Sequence, residues 1–275
     1  MTQRVLLPIY INGKPDKPFP VDVYAQYHVP QSGNAVVPLC DESGLDWLVA
    51  SIREHTRQQF DVPIAITGKR RMGKSQFGLQ LAKKLDPEIP LEHVTFELSQ
   101  YQDLIRGTAP SQSPVYMYDE SIEGMFKQEW QRQMAIVKTL NISGALLIKH
   151  IFIMPSLGDF NSKIKPMIAF WIYIEDRGLA IVEVSTVDKH NGSVWWEPIM
   201  AIHYGMMTGP FWDAYNDKKN GFISNYNPDK TPNSVSMEQR DALIKKVYAE
   251  GWGNQVEIGS WINMSQRNVS RILHS

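Results

Sequence analysis

The sequence predicts an α/β protein, a mainly parallel sheet covered by helices on both faces, followed by a small all-α module. Three observations carry that prediction. Short apolar runs alternate with helical-period segments from about residue 45 to 185, the pattern of strand–helix crossovers. One such strand runs straight into the turn Gly68-Lys69-Arg70-Arg71-Met72-Gly73-Lys74-Ser75, and a helical segment follows it. Residues 237–275 show helical spacing only.

Taken in order, residues 1–44 are rich in Pro and Gly and carry short strand-like runs such as Val21-Asp22-Val23-Tyr24, which predicts a β-rich N-terminal arm, extended or a small β lead-in. Leu45 to Gln59 is amphipathic, with Leu45, Leu48, Val49, Ile52 and His55 on one face. Val62 to Thr67 is an apolar strand. Gln76 to Leu85 is a helix with Phe77, Leu81 and Leu85 in register, and Pro87 ends it. Val94 to Leu98 is a second strand, and Ser99 to Arg106 a short helix opened by its Ser cap. Val115 to Tyr118, Ile151 to Met154, Met167 to Ile174 and Ala180 to Ser185 supply further strands, and Gln128 to Leu140 a helix. In the segment after the sheet, Ser185 to Trp212, the pair Trp195-Trp196 reads as core packing, with base stacking as the alternative. A linker is expected over Asn216 to Ser236, where Gly, Asn, Pro and Lys replace apolar residues. The domain reading is therefore 1–44, 45–215, a linker at 216–236, and 237–275.

The turn at 68–75 has the form G-x-x-x-x-G-K-[ST], a phosphate-binding loop. Gly68 and Gly73 let the backbone approach a polyphosphate closely, and Lys69, Arg70, Arg71 and Met72 line the curve. The loop N–H groups and the next helix N-terminus, with Gln76 in its first turn, supply positive potential. Lys74 would reach the β- and γ-phosphates, and Ser75 would ligate Mg²⁺. Forty-four residues after Ser75, the apolar run from Pro114 ends in Asp119-Glu120. That is a Walker B pattern: Asp119 would hold the Mg²⁺ shell, and Glu120 would act as general base on the attacking water. ATP and Mg²⁺ are the implied substrate and metal.

Composition narrows the function classes. Lys plus Arg is 28 and Asp plus Glu is 29, a net charge of −1, so any nucleic-acid contact must come from a local patch. The one cysteine, Cys40, fits a reducing compartment. No apolar tract reaches the roughly 18 residues that span a bilayer. A soluble cytoplasmic protein without a membrane partner is expected.

The motif pair, with the strand ending Ile153-Met154-Pro155-Ser156, resembles the additional-strand, catalytic-Glu P-loop ATPases. Within them it is similar to FtsK/HerA-type translocases and related viral and plasmid ATPases, over about residues 45–175. The resemblance implies a polar γ-phosphate sensor at the end of the strand beside Walker B, with Ser156 the candidate and Lys149 or His150 the alternatives. It also implies an oligomer with an arginine finger donated between subunits. Arg132, Lys163 and Lys165 are the candidates, and no obvious Arg follows Ser156.

Residues 237–275 resemble a helix-turn-helix. A first helix, Glu238 to Glu250, turns Ala242, Leu243 and Val247 inward. Val256, Ile258, Ile262, Val269 and Ile272 have core spacing, and Ser265 would cap the last helix. Gln266, Arg267, Asn268, Ser270 and Arg271 would then face DNA. A protein-docking module is the alternative. Three functions are open to the whole chain: an oligomeric ATPase acting on DNA in a virus or mobile element, a transcription regulator switched by ATP, and a small-molecule kinase. Glu120 and the terminal module argue against the kinase.

Overall fold

The computed structural model describes the chain except residues 1, 12–13, 32–34, 110–111, 120–135, 142, 157, 159–163, 189, 191–192, 226–236, 251–253, 258–265 and 275. It divides into two compact units, Met1–Gly221 and Phe222–Ser275.

In the first unit the order is β1 (Thr2–Ile11), β2 (Lys14–His28), β3 (Val37–Cys40), α1 (Ser43–Arg57), β4 (Val62–Gly68) and α2 (Lys74–Leu85). Then come β5 (Val94–Thr95), α3 (Leu98–Arg106), β6 (Val115–Asp119), β7 (Lys149–Ile153), β8 (Phe170–Asp176), β9 (Leu179–Val187), β10 (Val194–His203) and α4 (Pro210–Asn225). Among the described residues the strands form one mixed sheet, ordered β1-β2-β3-β10-β9-β8-β4-β7-β6-β5.

The half that matters for the site is parallel. β4 pairs with β7 on one side and β8 on the other, β7 pairs with β6, and β6 with β5. β7 thus lies between β4 and β6. Every residue of β4 and β6 is buried, as expected of strands covered on both faces, which is why both read as unbroken apolar runs. Beyond β8 the sheet turns antiparallel through β9 and β10.

Helices α1 and α2 bury apolar side chains against the sheet. Leu45, Trp47, Leu48 and Ile52 of α1 are buried, and Trp47 Nε1 donates to the Pro8 carbonyl at 3.1 Å. Phe77, Leu79, Leu81 and Ala82 of α2 are buried. Complete burial of one such large apolar side chain stabilises by about 1.5–3 kcal/mol. A further core gathers Tyr101, Ile105, Tyr118, Phe152 and Ile168. Within it, buried His150 shares hydrogen bonds with Tyr101 and Ser143, and burial pulls its imidazole down to about 3.

Several expectations need correction. β5 is two residues long, and α3 starts at Leu98 behind Glu97 without a side-chain cap, so Ser99 lies inside the helix. β10 occupies part of the segment read as lying after the sheet, and it splits the Trp pair: Trp195 is 58% exposed, whereas Trp196 packs on Trp171. Of the two expectations for the N-terminal residues, the β lead-in agrees with the pairing and the extended arm does not, because β3 pairs with both β2 and β10. The linker cannot begin at Asn216, because α4 continues to Asn225. Of the helix expected at Gln128–Leu140, residues 128–135 lie outside the described residues and 136–141 are helical.

The second unit shows α5 (Met237–Ala249) and α6 (Gln266–Leu273), held by Ile244, Val269 and Ile272. Ala242 and Val256, expected inside, are exposed, and Ile244 is buried; the side chains of Leu243 and Val247, also expected inside, lie outside the described ones. Ser265, Ile258 and Ile262 lie outside the described residues, as does most of the segment before α6.

Candidate functional site

β4 carries Gly68 to the C-terminal edge of the parallel strands. There the chain turns through Gly68 at φ 144°, Arg71 at φ 64° and Gly73 at φ 100°. A β-carbon at Gly68 would stand 2.6 Å from the Ile174 carbonyl oxygen of β8, and one at Gly73 would stand 3.0 Å from the Tyr204 hydroxyl. Gly68 therefore calls for glycine on sterics as well as conformation, and Gly73 calls for it through its positive φ, with a tight contact to the Tyr204 hydroxyl besides. Lys69, Arg70 and Arg71 are exposed on the curve, and Met72 and Gly73 are half-buried.

Lys74 is buried and folds back over the loop, its Nζ donating to the carbonyls of Gly68 at 2.7 Å and Lys69 at 2.9 Å. Burial pulls its ammonium below the ordinary lysine range, and the Asp119 carboxylate opposes that shift. The Gln76 side chain turns away from the loop. Its amide donates to the Met207 carbonyl at 3.3 Å and accepts from the Met207 N–H at 2.8 Å, tying the segment after β10 to α2. Gln80 adds a bond to the Gly205 carbonyl at 2.7 Å.

Two strands away, β6 ends at wholly buried Asp119, and Ser75 Oγ donates to Asp119 Oδ2 at 2.8 Å. A hydroxyl and a carboxylate at this separation, beside a lysine and a helix N-terminus, form the hard-oxygen donor set that Mg²⁺ takes. The residues present fit that ion: Ser75 and Asp119 would hold it, directly or through water.

Other expected residues fall into three groups. Glu120, Arg132 and Lys163 lie outside the described residues. Ser156 is exposed just past β7, next to the loop, since the neighbouring Pro155 carbonyl accepts from Gly68 N–H at 3.3 Å. Lys149 and His150 lie at the opposite end of β7, where Lys149 pairs with Val62 at the start of β4 and its Nζ reaches Ser113 Oγ at 2.7 Å. They are too far along the strand to sense a phosphate at the loop. Lys165 precedes β8, also at the sheet end away from the loop.

The sequence reading missed α4. Lys219 Nζ is 2.9 Å from Asp119 Oδ2, and the Tyr215 hydroxyl donates to the same oxygen. Lys218 anchors the helix through bonds to the carbonyls of Leu91 at 2.9 Å and Val94 at 2.6 Å. The usable signal was the Phe211-Trp212…Tyr215…Lys218-Lys219 spacing, which is helical and not linker-like.

In the second unit, Gln266, Arg267, Asn268 and Arg271 are exposed on α6, opposite buried Val269 and Ile272. Ser270, expected to face outward, is half-buried.

No family model matches the chain, and no curated protein matches it. Among solved structures it is similar to the cytoplasmic domain of the Thermomonospora curvata type VII secretion ATPase EccC, at 9% identity and a TM-score of 0.32. That likeness covers 63% of this chain and 26% of that one, so the chain spans only a minor part of that structure. A likeness this weak carries no weight for function, and the residues of the site carry it instead.

Proposed function

We propose that the chain is an ATPase of the additional-strand P-loop type that acts on DNA through its C-terminal unit, as an oligomeric motor or loader. The observation that carries the reading is the meeting of Ser75 and Asp119 at 2.8 Å, at the edge where a glycine-turned loop enters α2. The position of β7 between the loop strand and the acid strand supports the type.

In this reading the loop N–H groups and Lys74 bind and orient the β- and γ-phosphates. Lys74 exchanges its bonds to the Gly68 and Lys69 carbonyls for phosphate oxygens. Ser75 and Asp119 would hold Mg²⁺, directly or through water, and the ion would supply neutralising charge to the phosphate oxygens. Glu120, directly after Asp119, takes the proton of the attacking water. Ser156 senses the γ-phosphate from the end of β7, and Arg132, Lys163 or Lys165 of a neighbouring copy supplies the finger. Arg267 and Arg271 contact the DNA.

Phosphate release by the purified chain, with and without duplex and single-stranded DNA, tests the proposal. Release that rises with DNA is the expected result. Release at the same slow rate with and without DNA, coupled to nucleotide-dependent DNA affinity, would favour the ATP-switched regulator. No release, or transfer of phosphate to an acceptor other than water, would overturn the ATPase reading.

A further inference from the structure

Helix α4 closes over the pair of oxygens to which the proposed function assigns the divalent cation. Tyr215 and Lys219 stand one turn apart on it and reach the same atom, Asp119 Oδ2. Lys219 Nζ is also 3.4 Å from Ser75 Oγ and 3.0 Å from the Tyr215 hydroxyl. The ammonium thus lies within reach of both proposed metal-holding oxygens.

The setting makes this an arranged contact. Tyr215 is buried and stacks on Trp212 with ring centroids 5.5 Å apart, and the Phe96 ring lies 5.8 Å from it. Lys218, the residue before Lys219, donates its own Nζ to two backbone carbonyls, so α4 cannot drift outward without breaking those bonds. The Asp119 side chain is wholly buried, whereas that of Lys219 is 21% exposed. The carboxylate is enclosed and bonded to Ser75, Tyr215 and Lys219, whereas the lysine reaches it on a flexible four-carbon stem. A divalent ion held by Ser75 and Asp119, directly or through water, would meet the like charge of the Lys219 ammonium in a site of low dielectric, where the two repel.

We propose that Lys219, positioned by Tyr215, competes with the divalent cation for the Asp119 and Ser75 oxygens and so sets the cation affinity of the site. The inference rests on the reading of Ser75 and Asp119 as cation ligands. Lys219 must swing off Asp119 before the ion enters, and Tyr215, which shares that oxygen, holds the ammonium in place against it.

The test uses the full chain and Mn²⁺ as probe, with free Mn²⁺ followed by electron paramagnetic resonance, for the parent, Lys219→Met and Lys219→Arg. Without nucleotide, Lys219→Met should bind Mn²⁺ at least about tenfold more tightly than the parent, because a competing charge is gone, and Lys219→Arg should stay near the parent. Equal or weaker binding by Lys219→Met overturns the proposal. Should Lys219→Met melt early, Tyr215→Phe carries the same test: loss of the hydroxyl that holds Nζ should also tighten Mn²⁺ binding, and an unchanged affinity overturns the role of Tyr215 and Lys219 alike. Binding of a fluorescent ATP analogue by the parent separates the two layers. If the parent binds the analogue with Mn²⁺ and Lys219→Met leaves the Mn²⁺ affinity unchanged, competition alone falls. If the parent binds neither, the cation-site reading falls with it.

Discussion

Ser75 Oγ and Asp119 Oδ2 meet at 2.8 Å although 44 residues separate them in the chain. Neither side chain brings this about. β4 and β6 are each fully buried and each bound to β7, so their C-terminal ends come out at one edge, two strand widths apart. The α2 N-terminus then lifts Ser75 across β7 toward Asp119.

Lys74→Met removes the ammonium that now spans the carbonyls of Gly68 and Lys69. Nucleotide affinity should fall at least about tenfold and hydrolysis should be lost, since a Lys at this loop position carries charge to the β- and γ-phosphates. Equilibrium binding and phosphate release are the readouts. A variant that turns over like the parent would exclude the loop as the phosphate site.

Glu120→Gln should leave ATP binding intact and slow hydrolysis by roughly 10²–10⁴, the usual cost of losing a general base. The variant should accumulate with ATP bound, and sedimentation in that state would reveal the oligomer. Failure to bind ATP would mean that Glu120 has a structural role.

Glu183 on β9 makes stability depend on pH. Burial pushes its carboxyl from 4.5 up to about 7. Between about pH 4.5 and 7 the folded protein keeps a proton that the unfolded chain has released, so this group's contribution to stability falls as pH rises through that window and is level above it. Glu183→Gln should remove the decline and raise stability at pH 7.5 by the order of 1–3 kcal/mol. Urea unfolding at pH 5 and pH 7.5 checks this, and parallel shifts in parent and variant would refute it.

Arg267→Ala with Arg271→Ala removes two exposed cations one turn apart on α6. DNA affinity should weaken at least tenfold, at about 1–3 kcal/mol per lost contact, and its salt dependence should flatten because fewer counterions are released. ATPase activity without DNA should persist. Anisotropy with a labelled duplex over a salt series is sufficient, and unchanged binding would make the second unit a docking module for protein.

The loop, its strand and helix, and the acid strand were legible in the sequence because each is specified locally. Two glycines at fixed spacing are needed where φ is positive, a buried parallel strand reads as an apolar run, and an amphipathic helix shows its period. The exposed face of α6 was legible for the same reason, from the alternation of Arg267 and Arg271 with Val269 and Ile272. The tertiary structure alone decided the rest. β10 has a pairing partner in β3, more than 150 residues earlier, and β-pairing at such a distance leaves no local period. The Asn216–Asn225 stretch looked like linker because its Lys and Asn residues are polar. They are helical because Tyr215 buries its ring against Phe96 and Trp212, and because Lys218 and Lys219 find carbonyl and carboxylate partners some hundred residues upstream. A polar residue's partner across such a distance is set by how the sheet brings the elements together, and composition cannot disclose it.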